Sequence, residues 1–363
     1  MDLLKTLKDK KKPLSVHIAA NEMVSFIHFF LTYGEGKNTE AYDATCPEFK
    51  EDKNLRNTLT EAKKLPIGIK ILLSESAHKY TNPSELLDFI KKQGTDHLKA
   101  AGCPDEEIKE TSECLNSSKL PKMLETTYPL YHEHFWEKNK TEIERFSNSE
   151  LNSEQLNIFN SCVNQISSFL KTPVEKTPSV FSDPVPRNAS RSSSRKKDYI
   201  CLGFYLGKDT LSERLPTLTH ELFHELYAYS SSRATVEESL GQRDALCDFF
   251  EKFPQEKAYK TNSPERAVKN LFNETMACAF QALHQEKQTG IHSPKLYDNP
   301  MVHSCASKML PVLKEYLSDK KTLDLEFINS FKTKALEACN ERKQELKNPS
   351  DINANLKSNG RQP

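Results

Sequence analysis

One stretch, Thr217–Tyr227 (TLTHELFHELY), constrains this chain more than any other. It places two histidines four residues apart, His220 and His224, with Glu221 directly after the first. On a helix, residues four apart lie one turn above each other, so both imidazoles can reach one metal ion. Glu221 then projects beside them, close enough to take a proton from a water molecule on that metal. The spacing therefore predicts an active-site helix with two metal ligands and a general base.

The helix prediction does not depend on this motif, because apolar residues recur at helical spacing through the same stretch. They form a stripe opposite the two histidines: Leu215, Leu218, Leu222, Leu226 and Tyr229. Thr217 and Ala228 flank Glu221 on the other face and are small enough to leave room for a substrate. We expect the helix to bury its back against a core and to turn the histidines towards a cleft. The alternative is a surface helix whose histidines fit a short pattern by chance.

Length and charge exclude several classes of protein. A chain of 363 residues can bury a sizeable core in one or two domains. The 51 basic residues balance 51 acidic ones, so no net charge draws the protein to nucleic acid or to a membrane surface. A hydrophobic content of 36% with 28% charged residues is polar, yet it is well short of a disordered composition. We expect a soluble protein that binds neither nucleic acid nor membrane, with an oligomeric state that the sequence leaves open.

Cysteine usage and the N-terminus indicate a cytoplasmic protein where the chain is synthesised. The nine cysteines include no CxxC pair, and their odd number favours free thiols in a reducing compartment. The apolar run after the basic N-terminus carries His17, Glu22 and His28, which make a poor signal-peptide core. No stretch is long and apolar enough to span a bilayer. We predict no signal peptide, while export without a cleaved signal stays open.

Residues 1–150 predict a helical N-terminal region of unknown role. Its predicted helices are Asn21–Tyr33, Pro83–Lys92, Pro104–Asn116 and Tyr128–Phe146, and Pro66–Ser74 could be helix or strand. His132 and His134 lie in the last of these helices. Histidines two apart face opposite ways on a helix, so we do not expect them to form a second metal site.

Residues 151–348 combine further helices with a small sheet, and residues 349–363 form a polar tail that we predict to be disordered. Ser179–Phe181 could be a strand, and Tyr199–Leu206 (YICLGFYL) is the best strand in the chain. Arg187–Lys197 is basic and serine-rich, which predicts a solvated, mobile loop, with substrate steering as the alternative. The remaining elements are predicted helices: Ser153–Lys171, Thr235–Phe253 with a capping box at Thr235 and Glu238, Ser263 to about Gln285, Pro311–Ser318 and Leu323–Lys347. Together the elements predict an α+β fold that is predominantly helical.

A third ligand decides what kind of zinc site the two histidines can make, because hydrolytic sites usually have three protein ligands and keep one position for water. Glu274 is our first choice, since it is the only formally charged residue between Lys269 and Glu286. A carboxylate in an apolar stretch is costly unless it is paired or binds a metal. The alternative is an ion pair with an arginine or lysine from elsewhere. Glu237 is the second choice, although its charged neighbours explain it without a metal.

In this order of elements the chain resembles the gluzincins, the thermolysin-like zinc metallopeptidases with HExxH on one helix and a glutamate on a later one. The resemblance covers about residues 198–285 and consists of three pieces: Tyr199–Leu206, His220-Glu221-x-x-His224 and Asn273-Glu274-x-x-Ala277. It implies a zincin-like core in which His220, His224 and Glu274 bind zinc and Glu221 is the general base. It also implies that the preceding strand is the edge that holds an extended peptide beside the metal.

Two departures from the gluzincin pattern limit what the resemblance implies. Cys278 stands where many of these enzymes carry the aspartate that orients the first histidine, so that support must come from elsewhere. The aminopeptidase signature GxMEN is missing, which favours an endopeptidase. The resemblance also implies a tyrosine or histidine after the glutamate that stabilises the oxyanion of the transition state. Tyr297 and His303 fall in that region, although either could be an ordinary structural residue.

The sequence therefore predicts a zinc-dependent metallopeptidase that hydrolyses peptide bonds in protein or peptide substrates. The alternative is a non-catalytic helical binding or scaffold protein whose zinc site is structural or inert. An intact Glu221 favours catalysis, because a structural site would not need a base beside the metal.

Overall fold

The computed structural model describes residues 18–36, 39–100, 102–172, 179–184, 191–192, 199–259, 261–290 and 299–347. It is 77% helix with one small sheet, which agrees with the predicted α+β, predominantly helical class. None of the described helices combines the length and the apolar character needed to cross a membrane.

The chain divides into two compact units. One comprises Met1–Leu156 and Thr177–Glu221, and the other comprises Asn157–Lys176 and Leu222–Pro363. The last of the three boundaries, between Glu221 and Leu222, falls inside the helix Leu211–Ala228. The predicted domains, 1–150 and 151–348, stay a prediction, because compactness alone does not show which segments fold on their own.

Among the described residues, the first unit contains nine helices that lie between the first and second strands of its sheet in chain order. Their bounds are α1 (Glu22–Gly34), α2 (Thr39–Thr45), α3 (Pro47–Glu51), α4 (Lys53–Ala62), α5 (Ile67–Ser76), α6 (Pro83–Ala100), α7 (Asp105–Asn116), α8 (Lys119–Tyr131) and α9 (Glu137–Ser147). Helix α1 is buried along most of its length, and Phe26 and Phe29 pack against Tyr131 of α8. The undecided segment Pro66–Ser74 is helical, as α5.

Four short strands make the sheet of this unit. They are β1 (Ile18–Ala20), β2 (Ser179–Asp183), β3 (Arg191–Ser192) and β4 (Tyr199–Gly203), in the order β1-β2-β4-β3. Strands β1, β2 and β4 are parallel, whereas β3 is antiparallel to β4. Every residue of β4 is buried, as expected for a continuous apolar run in a parallel sheet. The predictions of strands at Ser179–Phe181 and Tyr199–Leu206 are thus confirmed with different ends.

The resemblance implies that Tyr199–Leu206 is an unpaired edge strand of the sheet. This expectation is wrong at the two positions where β3 pairs with β4. Arg191 pairs with Cys201 and Ser192 pairs with Ile200. Strand β3 lies within Arg187–Lys197, the segment whose composition predicts a solvated loop. The rest of that segment lies outside the described residues.

The second unit packs its helices around one apolar core. Its elements are most of α10 (Ser153–Leu170), the end of α11 (Leu211–Ala228), α12 (Arg233–Leu240), α13 (Ala245–Lys252), α14 (Pro264–Thr289), α15 (Pro300–Ser318) and α16 (Leu325–Lys347). Helix α14 is buried over most of its length. Ser263 begins it by accepting the Arg266 N–H, and Gly290 ends it in the left-handed conformation. All nine cysteines of the chain are free, as the sequence predicts.

Two helix predictions in this unit are wrong. Thr235–Phe253 is not one helix, because the chain breaks after Leu240 and Asp244 caps a new helix through the N–H groups of Leu246 and Cys247. Thr235 therefore lies inside α12, and no capping box with Glu238 forms. Helix α15 begins at Pro300 and contains Pro311, where we had expected it to begin. The tail 349–363 lies outside the described residues.

Candidate metal centre

Helix α11 is fixed at its start by local side-chain contacts. The Glu213 carboxylate accepts both the N–H and the hydroxyl of Thr210, and the N–H of Glu213 donates to Thr210 Oγ1, which completes a capping box. One residue later, the buried Arg214 donates to the Gly203 carbonyl at 2.8 Å. Because Gly203 ends β4, this bond ties the last strand of the sheet to the helix that carries the histidines.

The three motif side chains on α11 are buried, although each keeps a small exposed fraction. His220, Glu221 and His224 are each 7–8% exposed, whereas the next residue, Glu225, is fully buried. The burial excludes the alternative of two surface histidines on a solvated helix. The predicted apolar stripe is confirmed at four buried leucines: Leu215, Leu218, Leu222 and Leu226. The prediction is wrong for Tyr229, which lies beyond the end of the helix and is 45% exposed.

Glu274 reaches the histidines from α14 and is almost fully buried. The ligand atoms of His220, His224 and Glu274 all lie within 4.8 Å of one another. His224 Nε2 lies 3.5 Å from Glu274 Oε1. His220 joins them because it lies one turn earlier on the same unbroken helix. Among the described residues, this is the only group of three such side chains that could hold a metal ion.

The donor set fits zinc. Two imidazole nitrogens and one carboxylate oxygen are ligands that zinc commonly takes, and tetrahedral bonds of about 2.1 Å place ligand atoms roughly 3.4 Å apart. The 3.5 Å between His224 and Glu274 agrees with that spacing. A simple ion pair between these two residues could give the same distance. It would not require a second buried imidazole, that of His220, beside the same carboxylate.

Tyr259 is a site residue that we did not predict from the sequence. Its hydroxyl donates a hydrogen bond to Glu274 Oε1, the oxygen that faces His224. The side chain is 50% exposed, so the phenol links a buried ligand to the solvent side. The bond supplies a partner for a ligating carboxylate, a kind of support that metal sites generally need.

No periodic pattern connects Tyr259 to Glu274, because the two lie 15 residues apart with a loop between them. One signal was available. Tyr259 is the only aromatic residue between Phe253 and Leu271, in a segment that is otherwise mostly polar.

Arg214 gives Glu221 a positively charged neighbour. Burial lowers the pKa of the Arg214 guanidinium, and the negative charges of Asp209 and, more weakly, of Glu221 oppose that shift. Arginine keeps its proton in proteins, so Arg214 places a cation among the neighbours of Glu221.

The other predicted site residues lie elsewhere or outside the described part of the chain. Glu237 lies on α12, and its carboxylate pairs with Arg233 Nε at 2.5 Å, as its charged surroundings suggested. Tyr297 falls within the residues that the structure does not describe. His303 lies half-buried in α15 and is not one of the clustered ligands, so its role as an oxyanion donor stays a prediction.

The second histidine pair has a structural explanation. His132–Trp136 forms a π-helical turn between α8 and α9. His132 Nδ1 lies 2.7 Å from Glu22 Oε1, and His134 Nδ1 lies 4.0 Å from Glu48 Oε1. Each imidazole therefore faces its own carboxylate, and the two do not share a metal-binding group among the described residues.

No protein-family model, no curated protein and no solved structure matches this chain.

Proposed function

We propose that this protein is a zinc-dependent metallopeptidase of the gluzincin type that cleaves peptide bonds within protein or peptide substrates. In this proposal α11 and α14 carry the metal ligands of a zincin-like core. One observation carries the proposal. Glu274, the lone charge of an apolar stretch, lies with His220 and His224 in a cluster whose ligand atoms are within 4.8 Å of one another.

Each residue of the cluster has a defined task in this reaction. His220, His224 and Glu274 hold the ion, which when bound polarises the scissile carbonyl and acidifies a water molecule. Glu221 accepts the proton of the attacking water and passes it to the leaving amine.

The remaining tasks fall to donors around the ligands. Tyr259 holds the Glu274 carboxylate in place through its hydroxyl. The oxyanion that develops on the substrate needs a further hydrogen-bond donor, and Tyr297 and His303 are the candidates.

A structural zinc site in a binding or scaffold protein is the second candidate, because the motif residues are only 7–8% exposed. Structural sites are usually closed by four protein ligands. Within the described residues the cluster has three such ligands, His220, His224 and Glu274, and no fourth histidine, cysteine or acidic residue joins them. A structural site would also have no use for Glu221, the acidic residue beside the proposed ligands.

Proteolysis can be tested without knowing the natural substrate. Zinc-loaded protein is incubated with a denatured protein mixture, and newly formed N-termini are labelled and identified by mass spectrometry. We expect Glu221→Gln to retain zinc and to lose hydrolysis by about 10²–10⁴-fold, because the amide preserves shape but cannot accept the proton. Glu237→Gln is the matched control, since that carboxylate is exposed on α12, and it should cleave like the wild type.

Two results would contradict the proposal. Wild-type protein with full zinc that generates no new N-termini is not a peptidase. A Glu221→Gln variant that cleaves at the wild-type rate removes Glu221 from the role of base.

A further inference from the structure

Within the second unit, a pocket of about 550 Å³ lies next to Glu274. Its lining residues are Tyr259, Thr261, Asn262, Ser263, Arg266 and Asn270. Two of them connect it to the metal ligands. Tyr259 donates its hydroxyl to Glu274, and Asn270 lies one turn before Glu274 on α14. A group bound in this pocket would therefore lie beside the proposed reaction centre.

Part of the polar lining is already used to build the helix. The Ser263 hydroxyl donates to Glu265 Oε2, and its oxygen accepts the Arg266 N–H that begins α14. Thr261 Oγ1 accepts the Ser263 N–H. These groups shape the pocket, and their hydrogen bonds leave little capacity for a ligand.

Three other lining side chains are available to a ligand. Asn262, Arg266 and Asn270 form no side-chain hydrogen bond or ion pair with the residues that the structure describes. Arg266 is the only formally charged member of the lining. A guanidinium with nearby amides is a suitable receptor for a carboxylate, because planar N–H donors match its two oxygens.

We propose that this pocket binds a carboxylate of the substrate peptide and that Arg266 is a specificity-determining residue. The inference rests on the proposed peptidase function and adds a substrate class to it. The carboxylate could belong to an acidic side chain next to the scissile bond or to the C-terminus of the peptide. Both present the same chemistry to Arg266, and they can be separated by experiment.

The experiment measures binding, so that it does not depend on turnover. Zinc-loaded Glu221→Gln protein is titrated with fluorescent peptide pools, in which one position is fixed as Glu, Gln or Lys and the others are randomised. Each pool is made with a free C-terminal carboxylate and with a C-terminal amide. The same titrations are repeated with Arg266→Glu, and with Lys334→Glu as a matched charge reversal at an exposed pair on α16.

We expect the Glu pool, or the pools with a free C-terminus, to bind up to about five-fold more tightly than their neutral counterparts. A preference for the Glu pool assigns the pocket to a side chain, and a loss of affinity on amidation assigns it to the C-terminus. Arg266→Glu should abolish or reverse the preference, and Lys334→Glu should leave it unchanged. The preference should also weaken with added salt, because Arg266 is exposed.

The proposal is overturned if no pool binds, if affinity is independent of both carboxylates, or if the preference survives Arg266→Glu. Failure of the underlying function looks different. A carboxylate preference that Arg266→Glu reverses, in a wild-type protein that cleaves none of the pools, leaves the pocket as a binding site and removes the peptidase. Cleavage of all pools at one rate, with equal affinities, keeps the peptidase and removes the role of Arg266.

Discussion

Two buried clusters in this chain each join a histidine, a carboxylate and a tyrosine, yet only one of them is a candidate metal centre. In the first unit, His28 Nδ1 bonds to Asp183 Oδ2. Ser25 Oγ donates to Asp183 Oδ1 at 3.1 Å and lies 2.6 Å from the Tyr131 hydroxyl. In the metal centre, His224 and Tyr259 both face one oxygen of Glu274.

The difference lies in how the carboxylate is satisfied and in access to it. Each oxygen of Asp183 has its own donor, and Ser25, His28 and Tyr131 are all at most 3% exposed. At Glu274 a second imidazole shares the site and the tyrosine is half exposed. A buried histidine–carboxylate pair is therefore not enough to indicate a metal. The indication comes from a second imidazole beside the same carboxylate, with a path to solvent.

The largest effect that separates the two clusters should come from Asp183→Asn. The substitution replaces a buried carboxylate that accepts from Ser25 and bonds to His28, so we expect the free energy of unfolding to fall by about 2–3 kcal/mol. Zinc content should not change, because Asp183 is not among the clustered ligands. Denaturant unfolding and elemental analysis of the same preparation measure both quantities. A stable variant that has lost its zinc would reverse the roles given to the two clusters.

A smaller and opposite pair of effects is expected from the two tyrosines. Tyr259→Phe removes the hydroxyl bonded to a metal ligand, so zinc affinity should fall about ten-fold. Tyr131→Phe removes a buried hydroxyl bonded to Ser25, so the free energy of unfolding should fall by about 1 kcal/mol with zinc affinity unchanged. Chelator competition and denaturant unfolding measure the two quantities. Equal zinc affinities in both variants would show that Tyr259 does not support Glu274.

The smallest effect concerns His284, a buried histidine of α14 outside the metal centre. Burial, with a further contribution from the charge of Lys287, lowers its pKa to about 4. The unfolded chain has a pKa near 6.5 at this residue and takes up the proton first, so stability is full above that pH and declines as the pH falls towards 4. Between pH 7.5 and 5.5 we expect His284 to account for a loss of about 1 kcal/mol.

His284→Gln does not titrate, so its stability should depend less on pH than that of the wild type over this range. Unfolding experiments at both pH values give the difference. Parallel pH profiles for the two proteins would show that His284 is not buried as a neutral group.

Local features of the sequence predicted the helical parts of the metal centre. The leucine stripe of α11 places the histidines, and the isolation of Glu274 in an apolar helix identified it as the third member of the cluster. The first signal is a periodic pattern and the second is a local composition, and each can be recognised within a single helix. The break between α12 and α13, which our helix prediction missed, also has a local signal in Gly241 and the capping Asp244.

Contacts between distant segments could not be predicted in this way. His28 meets Asp183 across 155 residues, and Arg191 reaches Cys201 from a segment whose composition indicates a loop. Tyr259 contacts Glu274 because of the path that the loop between them takes, and a periodic sequence pattern does not predict such a path. The sequence thus identifies ligands on regular elements, whereas the groups that support or cover them depend on the tertiary fold.

The central claim is that Glu274 completes a zinc centre with His220 and His224. A chelator competition titration of wild type, Glu274→Ala and Glu237→Ala tests it most directly, because both variants lose one carboxylate from a helix of the same unit. Loss of an outer partner costs 10–100-fold in affinity, so loss of a ligand should weaken zinc binding more than about 100-fold in Glu274→Ala. Glu237→Ala should bind zinc like the wild type. Wild-type affinity in Glu274→Ala, or a loss confined to Glu237→Ala, would contradict the assignment.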